Sequence, residues 1–120
     1  MACVAVLVPD LLFGSKVLAM LGQAGHEVTT CPPGPQAAAS AAGADVLVVD
    51  LTTDEVNGAE LLDGVRAEAA SPPRTLAFYS HVDVDTRRRA QDAGFDLIVP
   101  RSRMAREGAE LVAGLVGDPS

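Results

Sequence analysis

Apolar and polar positions follow one another along this chain in blocks of two kinds. Residues 2–8 form one unbroken apolar run, and in residues 45–50 Val46, Leu47, Val48 and Val49 stand together before Asp50. Runs of this length without polar alternation are the pattern of strands covered on both faces of a parallel sheet. Residues 26–31, with Val28, Thr29 and Thr30, predict a shorter edge strand, residues 75–80 a fourth strand and residues 96–99 a fifth. Between these runs the apolar residues return at helical spacing. Phe13, Val17, Met20, Leu21 and Ala24 mark one helix face before Gly25 stops it. Leu61, Leu62, Val65 and Ala69 mark another, which has to end before Pro72-Pro73. Residues 36–42 predict a small alanine-rich helix after the turn Pro32-Pro33-Gly34-Pro35, and residues 83–93 a fourth helix. Met104, Ala105, Leu111, Val112, Leu115 and Val116 give a last helix its stripe.

Strands that each hand over to a helix predict an α/β chain, a flavodoxin-like doubly wound (βα)5 sandwich whose parallel sheet has the order 2-1-3-4-5. The switch point of that order lies between the first and third strands, and ligands of open sheets bind outside the carboxyl ends there. The first run ends in Pro9-Asp10, the third in Asp50 and the fourth in Ser80-His81. The expected crevice therefore gathers two carboxylates, a hydroxyl and an imidazole.

With 120 residues, 48% of them hydrophobic, the chain suits one domain, residues 1–120, with one core. A net charge of −7 opposes nonspecific binding to nucleic acid or to an anionic membrane. The N-terminal run has no basic flank and breaks at Pro9-Asp10, so it reads as neither a signal peptide nor a span, and a cytoplasmic setting is expected. Cys3 begins the first predicted strand and Cys31 ends the second. If those strands are parallel neighbours, the thiols are separated by more than a disulfide tolerates, and both cysteines are expected to be reduced and buried.

Several chemistries are disfavoured by spacing. Ser80 and His81 are adjacent, and neighbours on an extended strand point to opposite faces, which is wrong for a serine-to-imidazole hydrogen bond. No Gly-x-Ser-x-Gly elbow is present. The separated histidines and cysteines lack zinc-ligand spacing, and His26 is expected to be structural. No glycine-rich phosphate loop follows the first strand, and Leu11, Leu12 and Phe13 are expected to pack the start of the first helix.

Asp10 follows the first strand, Asp50 ends the third, and Asn57-Gly58 closes the loop after it. Ser80 ends the fourth strand, Ala93-Gly94-Phe95-Asp96 turns into the fifth, and Arg101 stands at its tip. In this order and spacing the chain resembles a response-regulator receiver domain over nearly its whole length. The resemblance implies a stand-alone signalling module of bacterial signal transduction that acts through protein contact and is not an enzyme. It implies a phosphoacceptor at Asp50 and a Mg²⁺ ion held by Asp10, Asp50 and the carbonyl of Thr52. Ser80 would contact the phosphoryl group, and Arg101 would offset its charge where the family keeps a lysine. The implied partner is a sensor kinase or another signalling protein.

The departures from the family pattern carry their own expectations. Pro9 stands in place of a second acid, which weakens the metal site, because hard divalent ions are held by several oxygens. Arg101-Ser102 replaces Lys-Pro, and a planar guanidinium is no equivalent of a point-like ammonium; it is able to pair with Asp50 and hold the site shut. Asp54 replaces a proline, and Ile98 replaces the aromatic ring of the fifth strand that relays phosphorylation in the family. An atypical receiver is expected, with a phosphorylation-independent scaffold as the competing reading. A small-molecule or enzymatic use of the crevice rests on fold analogy alone. Arg87, Arg88 and Arg89 form a basic cluster on the fourth helix, read most simply as a solvated face. Their alternative is an interaction face with Ile98, in which Glu107 and Glu110 of a second copy supply the acid of a symmetric homodimer.

Overall fold

A computed structural model describes residues 2–34, 36–53, 56–80 and 83–117. Strands and helices alternate throughout: β1 (Cys3–Leu7), α1 (Leu11–Gln23), β2 (Glu27–Thr30), α2 (Ala37–Ala41), β3 (Val46–Asp50), α3 (Gly58–Glu68), β4 (Arg74–Tyr79), α4 (Val84–Ala93), β5 (Leu97–Pro100) and α5 (Arg101–Val116). The sheet is parallel, with the order β2-β1-β3-β4-β5 that the alternation predicts.

Side chains of successive strand residues point to opposite faces, and the sheet sorts its core accordingly. Val4, Val6, Val46, Val48, Leu76, Phe78 and Val99 pack on one face with Phe13, Val17 and Leu21 of α1 and Met104 and Val112 of α5. Ala5, Leu7, Leu47, Val49 and Ala77 pack on the other with Ala37, Leu61, Leu62, Val65 and Ala90 from α2, α3 and α4. Every residue of β3 is buried, as its unbroken apolar run requires of the central strand.

Helix ends follow local chemistry. Asp10, Asn57 and Asp83 cap α1, α3 and α4 with their side chains, each accepting amide hydrogens that have no partner within the helix. Gly94, at φ 96°, closes α4 in the left-handed region that glycine enters without steric cost. Ala24 and Ala69, expected inside helices, are instead the C-caps of α1 and α3.

Two expectations are corrected. Cys3 is exposed rather than buried, because it is the first residue of β1; Cys31 is buried, and both are free. In the β1–β2 register Cys3 lies opposite Glu27, four positions before Cys31, about 13 Å along the strand. Leu11 and Leu12 do not pack the start of α1. The buried stripe of that helix runs through Phe13, Gly14, Val17 and Leu21, and the two leucines fall outside it, 85% and 88% exposed.

Candidate functional site

The strand tips converge at the C-terminal edge. In register Leu7 lies beside Val49, Asp50 beside Phe78, and Tyr79 beside Pro100. Arg101 and Ser80 follow β5 and β4 directly, and Asp10 follows β1 after Val8 and Pro9, so all three emerge at the edge where β3 ends in Asp50.

Asp50 is 1% exposed, the one buried acid among the described residues. Its Oδ1 accepts from the Thr52 amide at 2.7 Å and from the Thr52 hydroxyl. That pair of bonds turns the chain out of β3 and compensates part of the cost of burying a carboxylate.

Asp10 has both oxygens engaged. Oδ1 accepts from the amides of Leu12 at 3.0 Å and Phe13 at 3.1 Å, and Oδ2 receives the Arg101 guanidinium at 3.3 Å. The Phe13 amide is the main reason the Asp10 carboxyl sits below the ordinary carboxylate range. Loss of hydration works against it, and the Leu12 amide and the Arg101 guanidinium add to it. The Arg101 guanidinium also lies 4.3 Å over the Phe13 ring centroid, and Phe13 rests against Phe78 with centroids 5.1 Å apart. Arg101 therefore reaches Asp10 across the crevice, whereas the sequence suggested Asp50 as its partner. The reason is positional: Asp10 is exposed at the head of α1, while Asp50 is buried and turned to Thr52.

A cavity of about 550 Å³ opens beside this arrangement, lined by Phe13, Thr52, Ser80, Arg101, Ser102 and Ala105. Ser80 and Thr52 thus share one recess with Arg101. Ser102 joins them, a hydroxyl that sequence reasoning passed over because it noted only the loss of a proline.

The residues present do not fit a resident divalent ion as they are arranged. Such an ion takes several oxygen ligands, yet Asp10 is committed to α1 and Arg101, Asp50 turns one oxygen to Thr52, and Pro9 contributes no acid. Among the described residues, no three His, Cys, Asp or Glu side chains are grouped to hold a metal.

The remaining sequence candidates lie away from this recess. Arg87, Arg88 and Arg89 are exposed on α4, where Arg89 donates to the Thr86 hydroxyl at 3.2 Å. Ile98 is half-buried and packs against the core on the α4 side of the sheet. Glu107 is paired with Arg103 and Arg106 at 3.6 Å, and Glu110 is exposed on the same helix. His26 sits before β2, at the opposite end of the strands, partly buried with Nδ1 unpartnered. His81 and Asp54 lie outside the described residues. No described helix is long and apolar enough to cross a membrane.

No protein-family model matches the sequence, and no curated protein is significantly similar to it. Solved structures do match. The receiver domain of a response regulator from Bermanella marisrubri superposes with a TM-score of 0.82 at 18% identity, over 96% of this chain and 98% of its own. The receiver domain of a sensor histidine kinase from Pseudomonas aeruginosa, described with magnesium coordinated in its active-site cleft, gives 0.82 at 19% identity over 98% of both chains. A response regulator from Burkholderia multivorans gives 0.76 at 23% identity, over 100% of this chain and 99% of its own. This chain has the fold of response-regulator receiver domains, the flavodoxin-like fold used in two-component signalling.

Proposed function

We propose that this chain is an atypical receiver of two-component signal transduction that acts by contact with another signalling protein, a sensor kinase or a downstream partner. The observation that carries the reading is the exposure of Leu11 and Leu12, 85% and 88%, at the head of α1 directly after Asp10, which is paired with Arg101. Covering two leucines that stand almost wholly in water would favour association, and the charged pair beside them would supply the polar surround of such a contact.

Mg²⁺-dependent phosphoryl acceptance at Asp50, with Ser80 on the phosphoryl group and Arg101 offsetting its charge, is the finer mechanism the resemblance implies. The burial of Asp50, its bonds to Thr52 and the commitment of Asp10 weigh against it. The proposed function therefore does not depend on it. Pairing with a second copy through Arg87, Arg88 and Arg89 is a lesser surface, since Glu107 already serves two arginines of its own helix and leaves Glu110 as the free acid.

Two experiments test this. Cross-linking in the source cell followed by mass spectrometry should recover a two-component partner with the native chain and lose it with Leu11→Ser/Leu12→Ser; unchanged cross-links in that variant overturn the docking site. Amide NMR with Mg²⁺ and beryllofluoride should leave Asp50, Thr52 and Ser80 unmoved. Shifts there that vanish in Asp50→Asn would return phosphoryl transfer to the mechanism.

A further inference from the structure

Arg101 is placed where its own helix gives it no support. It is the first residue of α5, which lacks a side-chain cap, and a cation in the first turn opposes the helix dipole. Its stabilisation comes from across the crevice. The guanidinium meets the Asp10 carboxylate at 3.3 Å and covers the Phe13 ring at 4.3 Å, and that ring is itself buried and braced by Phe78. A planar, delocalised cation can stack and pair at once, which an ammonium does less well. Asp10 is equally committed, since its other oxygen caps α1.

The charges of the crevice make the consequence definite. Asp10 and Asp50 are the acids that the receiver resemblance implies would hold a divalent ion, and Arg101 is already paired with the first. An incoming ion would have to displace the guanidinium, lose its stacking on Phe13 and then sit beside a freed positive charge. We propose that Arg101 is the built-in counter-cation of the strand-tip crevice, taking the place of a divalent ion at Asp10 and keeping the crevice in one metal-independent state. The inference rests on the receiver reading only for the expectation that a metal belongs at these acids; the rest is the geometry of this chain.

The test is a Mn²⁺ titration of the full chain followed by paramagnetic broadening of amide signals. The native protein should show no selective broadening at Asp10, Asp50 and Thr52 up to millimolar metal. Arg101→Gln, which is shorter but keeps hydrogen-bonding capacity and removes the charge, should bind Mn²⁺ at least about tenfold more tightly at those residues, and adding Asp10→Asn should abolish the gain. Arg101→Ala serves as a second variant should Arg101→Gln fold poorly. Pro9→Asp with Arg101 intact should stay unbroadened. Selective binding by the native chain, no gain in either Arg101 variant, or equal gain from Pro9→Asp alone would each overturn the proposal. Failure to find a signalling partner leaves this result untouched, so the two readings fail separately.

Discussion

Thr75 and Asp96 fasten the entries of β4 and β5 to each other. The Thr75 amide and hydroxyl donate to Asp96 Oδ2 at 2.8 and 3.1 Å, and the Asp96 amide donates back to the Thr75 hydroxyl at 2.9 Å. Asp45 does the same for β1 and β3, accepting from the Cys3 amide at 2.9 Å and donating to the Cys3 carbonyl at 2.8 Å. In both cases a carboxylate one residue ahead of a strand accepts from an amide at the start of its neighbour, Cys3 being the first residue of β1 and Thr75 the second of β4, at the sheet edge opposite the candidate site.

Thr75 is buried, so losing its hydroxyl leaves partners unmet in a place water reaches poorly. Thr75→Val should cost about 1–3 kcal/mol of unfolding free energy, the range for orphaning a buried hydrogen-bonding group. Urea denaturation measures this, and Thr75→Ser should recover most of the loss. A neutral Thr75→Val would mean that the fastening is incidental.

The turn from α4 into β5 depends on Gly94 and on a side chain from a different helix. Arg66 of α3 donates to the carbonyls of Ala93 and Gly94, both at 3.2 Å, across the end of α4. Gly94→Ala places a side chain in the left-handed region, and its Cβ would come within 2.8 Å of Arg66 Nη2. The backbone cost is about 1–2 kcal/mol. The guanidinium can swing aside, so Gly94→Ala should lower the unfolding free energy measured by urea denaturation by that amount and also loosen the amides of Ala93 and Gly94 in hydrogen exchange.

Strand order and the positions of the acids were legible from the sequence because both follow from local pattern. The Val46-Leu47-Val48-Val49 run has only one way to be covered on both faces, and Asp50 has to end it. The partner of Arg101 was not legible, since a guanidinium can reach either acid and the choice turns on which carboxylate the loop geometry leaves exposed. Leu11 and Leu12 misled for a related reason. Their apolar character suggested packing, yet the helical stripe begins only at Phe13, and the register of the cap decides where a stripe starts.

The N-cap of α4 gives the chain a defined response to acid. The Thr86 hydroxyl, followed by the Thr86 amide, holds the Asp83 carboxyl below the ordinary carboxylate range, with loss of hydration opposing and Arg89 assisting. A carboxyl depressed in the folded state favours folding above its unfolded value, and the advantage fades as the pH falls through the folded one. The fading should therefore begin below pH 4 or so, where free aspartate takes up its proton. Hydrogen exchange at Thr86, followed from neutral pH downward, should show the first turn of α4 opening over this acid range. Asp83→Asn, which keeps the capping oxygen, should flatten the response; an unchanged profile in that variant would assign it to another group.

The contact between Arg101 and Phe13 can be separated from the salt bridge it accompanies. Phe13→Leu keeps an apolar side chain under the guanidinium but removes the negative face of the ring, while Arg101→Gln removes the cation. If the ring holds the cation, a double-mutant cycle built from these changes and read by urea denaturation should give a coupling of about 0.5–1 kcal/mol, the range for a cation over a ring at a partly exposed site. The pairing of Arg101 with Asp10 is solvent-accessible and should weaken as salt is raised. Repeating the cycle at high ionic strength should therefore leave most of the Phe13 coupling in place while the Asp10–Arg101 coupling falls. A coupling near zero at both ionic strengths would reduce Phe13 to core filling. Arg101 would then be held by Asp10 alone, and a divalent ion would have only that salt-sensitive pair to displace.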